Sequence, residues 1–301
     1  MLNAFTVDVE DYFHVTGFAG CIRRSDWKHL PSRVVANTHR ILELLACRNV
    51  RATFFVLGWV AHRYPRLVRE IQAAGHEIGN HSYWHRLVYD LTPESFRSDL
   101  MLANRVLEDI IGQPVVAFRA PSFSITERSL WALEILAAEG FRCDSSIFPI
   151  HHHRYGVPNG HRLPHTLRLQ AGDVQEFPPS VLRVGKFNLP VGGGGYFRLY
   201  PLWFTRHCLG RINASKQPIM FYVHPWEVDV HQPRVRAPKP ACFRHYVNVA
   251  QTEPRLHRLL DTLTFGSMSD ALKAFQADGT CSDSTVVLRH ADSYSALSAT
   301  S

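Results

Sequence analysis

The chain has 301 residues, 46% of them hydrophobic and 11% aromatic, which is enough for one large α/β domain or two smaller ones. Its formal net charge is +7, but the lysines and arginines are scattered singly, which argues against nucleic-acid binding. No apolar run reaches the roughly 18 residues of a membrane span, and we recognise no secretory signal. Six dispersed cysteines without a CxxC pair indicate reduced thiols, so we expect a cytoplasmic protein.

The first half of the chain alternates short β-rich runs with amphipathic helical stretches, which predicts βα units around a parallel sheet. Thr92 and Pro93 form a predicted helix start, and Gly75 and Gly140 are predicted to follow helix ends. The predicted elements are, in chain order, a strand over 4–9, a helix over 33–48, a strand over 51–58, a helix over 65–74, a strand over 76–82, a helix over 93–111, a strand over 114–122, a helix over 126–140 and a strand over 141–146.

The rhythm breaks between about 146 and 216, where proline, glycine and histidine are frequent and long loops are expected, with FPPSVLRVG and VGGGGYFRLYP as the ordered parts. A strongly apolar strand follows over 217–228, and closing helices are predicted near 253–263 and 267–276. The run Gly192–Gly195 lacks the GK[ST] of a phosphate loop and indicates either a close backbone approach to a ligand or a flexible hinge. His151–His153 are interpreted as surface residues. From residue 279 the sequence predicts a disordered tail.

Five predicted strands end in charged or titratable groups. Because functional groups of α/β folds collect at the carboxyl ends of parallel strands, we expect these side chains to share one site. They are Asp8, Glu10 and Asp11 after the first strand, His81 and His85 after another, and then Arg119, Asp144 and His224.

The segment HSYWH places two histidines four residues apart, which predicts two imidazoles on one side of a helical turn. Two imidazoles and one carboxylate form a facial metal site that leaves positions open for water and substrate. Because no glutamate stands beside His81 as in an HExxH motif, the base must come from elsewhere, and Asp8 is the available candidate.

Arg119 ends an apolar strand, so we expect a buried carboxylate partner, and Asp8 suits it. Asp144 either orients His224 as a general acid or forms an Asx turn with the serines that follow. Trp226 supplies either a wall for a sugar ring or a plug for the barrel.

Five segments, TVDVED, HSYWH, FRAPSF, DSS and YVHPW, resemble in order the five motifs of the polysaccharide deacetylases, the NodB-homology proteins of the carbohydrate esterase family 4 type. The resemblance spans about residues 4–227. The start DVEDYFHV, the segment GGGYFRLYP and the region to about 265 most resemble a cytoplasmic subgroup found in exosortase (PEP-CTERM) loci for exopolysaccharides.

The resemblance implies an α/β fold, a distorted (β/α) barrel of about seven strands. One domain would span 1–278, with a family-specific helical extension over about 228–278. His81 and His85 would be metal ligands, Asp8 the base tethered by Arg119, and His224 the acid with Asp144 as its partner. Because Val9 stands where the common motif has a second aspartate, we favour Glu10 as third ligand, with Asp11 as the alternative. Substrate contacts are expected from Trp226, Tyr196 and Arg198.

The expected function is metal-dependent removal of N-acetyl groups from amino sugars of a polysaccharide or lipid-linked oligosaccharide, in exopolysaccharide biosynthesis. Zinc is the expected ion, with cobalt, nickel, iron and manganese as alternatives, and association with an exopolysaccharide assembly machinery is a further expectation. Rival interpretations are an allantoinase-like, metal-independent cyclic amide hydrolase and a non-catalytic polysaccharide-binding barrel. A third rival is a non-haem iron oxygenase built on the same two histidines and one carboxylate.

Overall fold

The computed structural model describes residues 1–278 and 285–287. Its strands are β1 (Asn3–Val9), β2 (Thr53–Val56), β3 (Glu77–Asn80), β4 (Ala117–Phe118), β5 (Cys143–Asp144), β6 (His165–Arg168), β7 (Asp173–Glu176), β8 (Val181–Val184), β9 (Phe187–Pro190), β10 (Met220–Val223), β11 (Phe265–Gly266) and β12 (Thr285–Val287). Its α-helices are α1 (Val34–Ala46), α2 (Gly58–Arg63), α3 (Pro65–Ala73), α4 (Pro93–Ile111), α5 (Trp131–Ala138), α6 (Gly194–Leu199), α7 (Leu202–Ala214), α8 (Lys239–Tyr246), α9 (Val249–Leu260) and α10 (Met268–Ala277).

The main sheet follows the order β10-β1-β2-β3-β4-β5-β7-β6-β12, and β11 pairs with β1. The strands from β10 to β7 pair in parallel, which sets their carboxyl ends at one edge, whereas β6 is antiparallel to β7. The chain after β7 returns to β10, where Ser180 N and Oγ bond the backbone of Met220 at 3.3 and 2.8 Å. The parallel strands therefore curve into the distorted barrel that the resemblance implies.

The central strand β1 is buried along its whole length, as expected for a parallel strand covered on both faces. Helix α4 begins as predicted at Thr92 and Pro93, where the Thr92 side chain accepts a hydrogen bond from Ser95 N. Gly112 then ends this helix with a φ of 70°.

The prediction of long loops over 146–216 is wrong for much of that segment. It contains β6 to β9 together with α6 and α7, of which β8 and α6 lie in the two segments expected to be ordered. Each of these strands has only four residues, and α7 buries a mixed set that includes Thr205 and Cys208 beside Leu209. Such short strands and a weakly amphipathic helix leave little periodicity to detect in the sequence.

The predicted disordered tail also needs a partial correction. Thr285–Val287 form β12 beside β6, and Val286 is buried against the core. The remaining tail residues lie outside the described part of the chain. Within the predicted helical extension, β11 pairs with β1, and Met268 N at the start of α10 donates to Thr53 Oγ1 at 2.7 Å. The assignment of 1–278 to a single domain stays a prediction.

The glycine run packs against strand β10. A Cβ atom on Gly193 would lie 2.0 Å from Tyr222 O, and one on Gly194 would lie 2.5 Å from the Tyr222 ring. Gly193 also has a φ of 129°, which side-chain-bearing residues rarely adopt. The glycines are thus explained by close packing of two protein segments, which was neither of the two interpretations drawn from the sequence.

Candidate active site

Arg119 and Asp8 form a buried ion pair at the carboxyl ends of β4 and β1. Arg119 is fully buried, and its Nη1 lies 2.7 Å from Asp8 Oδ1. The same nitrogen donates to the Thr6 hydroxyl at 2.7 Å, and Nε and Nη2 donate to Ser145 at 3.2 and 2.9 Å. These bonds hold the guanidinium in one orientation, so it can hold the Asp8 carboxylate in place.

Three buried side chains next to this pair form a group that can hold a metal ion. One ligand atom each from Glu10, His81 and His85 lies within 4.8 Å of the others. His81 Nδ1 lies 2.8 Å from Arg119 O, and donation from that nitrogen leaves Nε2 as the ligand atom. Glu10 Oε2 contacts His85 Nε2 at 2.7 Å but is buried, and among residues 1–278 and 285–287 it receives no well-directed hydrogen bond. A carboxylate oxygen lacking a donor beside two imidazoles fits a divalent cation such as Zn²⁺.

The electrostatics of this group suit a cation. Burial lowers the pKa of His81 to about 4, so the imidazole is neutral and its lone pair is free near neutral pH. Burial would raise the pKa of Glu10, but the charge of His85 and its close contact with the carboxylate outweigh that effect and hold the pKa below its usual range. The two groups therefore have the protonation states that metal binding requires.

The two histidines meet through a loop rather than through the predicted helical turn. Ser82 and His85 have φ angles of 63° and 50°, which are incompatible with a continuous helix. The Asp99 carboxylate on α4 accepts hydrogen bonds from the backbone nitrogens of Tyr83 and Trp84 at 2.8 and 3.2 Å. The prediction of a helical turn is therefore wrong, and it is the loop backbone that brings the two imidazoles together.

Asp11 does not join the cation-binding group. Its Oδ2 accepts hydrogen bonds from Ser32 Oγ at 2.6 Å and from the backbone nitrogens of Arg33 and Val34 at 2.8 and 3.1 Å. The carboxylate therefore satisfies free N–H groups at the start of α1. Of the two acids that the sequence left open, the geometry favours Glu10.

His224 enters the cavity from the end of β10, and Glu227 holds it from behind. His224 Nδ1 lies 2.5 Å from Glu227 Oε1, and Arg198 Nε lies 2.9 Å from Glu227 Oε2. On the cavity side, His224 Nε2 lies 3.4 Å from Glu10 and 3.8 Å from Asp8. Burial would lower the pKa of His224, but the hydrogen bond and charge of Glu227, with the other acids, raise it to about 9.

Asp144 is not the partner of His224, and this prediction is corrected. Its Oδ1 accepts a hydrogen bond from the Ser146 hydroxyl at 2.5 Å, a side-chain contact and not the backbone bond of an Asx turn. Its neighbour is the buried carboxyl of Glu176, and burial and then the Asp144 charge raise the pKa of Glu176 well above its usual value. One proton shared by the two carboxyls accounts for Asp144 Oδ2 and Glu176 Oε2, to which the described residues offer no other hydrogen-bond partner.

The three predicted substrate contacts have different surroundings. Arg198 is buried and bound to Glu227 and to the carbonyl oxygens of residues 244 and 245, so it supports the site from beneath. Trp226 is also buried, lies between the rings of His224 and His245, and places Nε1 3.4 Å from Glu10 Oε1. Of the three, Tyr196 is the more accessible side chain at the cavity wall.

One cavity of about 590 Å³ connects these groups. Asp8, Glu10, His81, His85 and His224 line its inner end. Its outer wall includes His152 and His153, so the surface interpretation of that histidine run is incomplete. Sequence reasoning missed Glu227, although it follows the segment YVHPW directly and stands three residues after His224, a spacing that allows contact across one helical turn.

The fold and this site define an α/β protein with a NodB-like barrel and a two-histidine, one-carboxylate centre. Residues 29–141 of the chain match the polysaccharide deacetylase family, and residues 145–273 match a domain of unknown function (DUF3473). The similarity to the polysaccharide deacetylase family therefore lies within the first half of the chain. Within residues 1–278 and 285–287, no helix combines the length and apolar character needed to cross a bilayer.

A peptidoglycan-N-acetylglucosamine deacetylase of Bacillus cereus is 36% identical over 98 residues, which are 32% of this chain and 36% of that protein. The similarity to this relative therefore spans about a third of its length. A solved structure from Mycobacterium smegmatis, assigned to the polysaccharide deacetylases, has a TM-score of 0.62 at 21% identity over 96% of this chain and 93% of that one. Puue allantoinase has a TM-score of 0.60 at 13% identity, over 92% and 90%. Both structural similarities concern the fold.

Proposed function

We propose that this protein is a metal-dependent hydrolase that removes N-acetyl groups from amino sugars of a polysaccharide or of a lipid-linked precursor. The observation that carries the proposal is the convergence of Glu10, His81 and His85 between the Asp8–Arg119 pair and His224. A cation site flanked by a candidate base and a candidate acid is the arrangement that amide hydrolysis needs.

The metal site would be formed by Glu10, His81 and His85. A bound divalent ion, with zinc as our first choice, would polarise the acetamide carbonyl and make a bound water more acidic. The remaining chemistry belongs to the side chains around it.

Asp8 removes the proton from the attacking water, and Arg119 holds the Asp8 carboxylate in the correct orientation. The water oxygen adds to the acetyl carbon, and the carbon–nitrogen bond then breaks. His224 donates a proton to the leaving nitrogen, because an amide anion is a very poor leaving group. Acetate and a free amine are the products. The acetyl carbon gains the oxygen of the water, and the amine nitrogen gains a proton.

Glu227 prepares His224 for this role. Its contact with Nδ1 favours the protonated imidazole and directs Nε2–H into the cavity, where the leaving nitrogen would lie. Arg198 in turn keeps Glu227 ionised, since burial would raise its pKa but the Arg198 charge lowers it. Both residues act through His224 and are positioning residues.

The setting that we propose is exopolysaccharide biosynthesis in the cytoplasm, within the subgroup of exosortase loci. The motif resemblance beyond residue 190 supports it, and contact with an assembly machinery would follow from that setting.

The test is metal analysis of the purified protein combined with acetate release from N-acetylglucosamine oligomers. We expect one bound divalent ion and acetate release that chelation abolishes and metal restores. The variant Asp8→Asn should keep the ion and lose activity. Full activity in metal-free protein, or hydrolysis of a cyclic amide without acetate release, would instead support the allantoinase-like alternative. Saccharide binding without hydrolysis would support the non-catalytic alternative.

A further inference from the structure

The outer end of the cavity carries unpaired positive charge. Arg154 and Arg244 line it together with His152 and His153, whereas its lining acids, Asp8 and Glu10, lie at the inner end. Within the described part of the chain, neither arginine side chain forms an ion pair, and Arg154 Nε is buried without a hydrogen-bond partner. A buried, unpaired guanidinium nitrogen is costly unless a ligand completes its bonding.

The charges of Arg154 and Arg244 act on the same two side chains, His152 and Tyr155. Burial, and then the positive charges of His153, Arg154 and Arg244, lower the pKa of His152 to about 4. The two arginines also act on Tyr155, whose hydroxyl lies 3.2 Å from that of Tyr196. Two like charges near one wall repel each other, so an anion between them would relieve the repulsion.

Aromatic rings connect the inner and outer ends. Ring centroids lie 5.9 Å apart between His224 and Tyr222, 4.9 Å between Tyr222 and Phe123, and 6.5 Å between Phe123 and Tyr155. His152 stacks on Tyr155 at 3.8 Å. Such a wall suits the apolar faces of sugar rings and leads from the candidate amide-cleaving groups to the arginines.

We propose that Arg154 and Arg244 form an anion subsite that binds a carboxylate or phosphate group of the saccharide substrate while the acetamide lies at the inner end. This inference rests on the proposed function and narrows its substrate class to anionic saccharides. The planar guanidinium groups match the oxygens of both anions, so a uronic acid residue and a diphosphate-linked sugar share the chemistry that the subsite recognises.

The test compares three substrates: a neutral N-acetylglucosamine oligomer, an oligomer that contains a uronic acid, and an N-acetylglucosamine diphosphate ester. We expect a higher kcat/KM for at least one anionic substrate than for the neutral oligomer. The anionic substrate with the higher kcat/KM shows whether the subsite prefers a carboxylate or a phosphate group. In the double variant Arg154→Gln with Arg244→Gln, the ratio of anionic to neutral kcat/KM should fall about tenfold or more. The charge-preserving double variant Arg154→Lys with Arg244→Lys should retain part of the preference.

Arg206→Gln is the matched control, because Arg206 is exposed on α7 and does not line the cavity. It should leave the ratio unchanged. Equal kcat/KM values for neutral and anionic substrates, or a ratio unaffected by the double variant, would overturn the subsite but leave the deacetylase proposal intact. If no substrate releases acetate, the proposed function fails, and calorimetric binding of the diphosphate ester to wild type and double variant decides the subsite by itself. Equal binding would overturn it.

Discussion

The carboxylate of Glu227 lies behind the His224 ring, with Oε1 2.5 Å from Nδ1, so that Nε2 faces the cavity. Since His224 must be protonated to donate, activity should fall as pH rises through its pKa, which Glu227 helps to raise to about 9. The variant Glu227→Gln should therefore move the alkaline limb of the kcat profile to lower pH and reduce kcat about 10²-fold. Asp144→Asn is the control and should leave the alkaline limb in place. An alkaline limb that moved in Asp144→Asn but not in Glu227→Gln would contradict the assignment of Glu227 as the partner of His224.

The choice between Glu10 and Asp11 as metal ligand can be tested directly. Glu10→Gln should lower metal affinity by about 10-fold to 100-fold or more, because it removes a charged ligand atom. Asp11→Ala should retain the ion but lose about 1–3 kcal/mol of unfolding free energy, because N–H groups at the start of α1 lose their acceptor. Elemental analysis and urea unfolding measure the two effects, and loss of metal in Asp11→Ala alone would reverse the choice.

The buried Arg119–Asp8 pair should be important for stability. Arg119→Leu leaves Asp8 without its cation and should reduce the unfolding free energy by about 3–5 kcal/mol. Arg97→Leu removes the more exposed arginine of a pair with Glu139 at 3.1 Å and should cost no more than about 1 kcal/mol. Chemical denaturation measures both variants. Equal losses of unfolding free energy would show that burial does not make the Arg119–Asp8 pair more important for stability than the exposed pair.

The carboxyl pair of Asp144 and Glu176 predicts a pH-dependent stability. The folded protein keeps a proton on Glu176 that the unfolded chain releases above its ordinary pKa. Between these two pKa values the folded state binds more protons, so stability should fall as pH rises, by at most about 1.4 kcal/mol per pH unit.

Glu176→Gln cannot release this proton, and its stability relative to wild type should increase with pH across that window. Denaturation curves at several pH values measure the difference. Glu139→Gln, at the protein surface, should show no such trend, and parallel curves for Glu176→Gln and wild type would rule out the shared proton.

Gly193 and Gly210 should respond in opposite directions to alanine. A Cβ atom at Gly193 would clash with Tyr222 O, so Gly193→Ala should destabilise the protein by about 3 kcal/mol. Gly210 lies within α7, and a Cβ atom there would have no neighbour within 4 Å among the described residues, so Gly210→Ala should stabilise by about 0.5–1 kcal/mol. Thermal unfolding of the two variants provides the comparison, and a tolerated Gly193→Ala would contradict the packing explanation.

The sequence by itself determined which segments of the first half form the parallel strands and which polar residues lie near their carboxyl ends. Apolar runs at β1, β2 and β10 are local signals, and the parallel order sets their carboxyl ends at one edge. For that reason the residues chosen from strand ends lie at one cavity, among them Asp8, His81 and His224. Short strands with mixed burial, such as β6 to β9, left no comparable signal.

Tertiary structure alone decided which carboxylate meets which group. Asp11 and Glu10 are adjacent in sequence, yet one binds the start of α1 and the other joins two histidines. His224 pairs with Glu227, whereas Asp144 pairs with Glu176. A contact of 2.5–3 Å depends on the backbone path of loops and on side chains from distant strands, and a hydrophobic pattern carries no information at that scale.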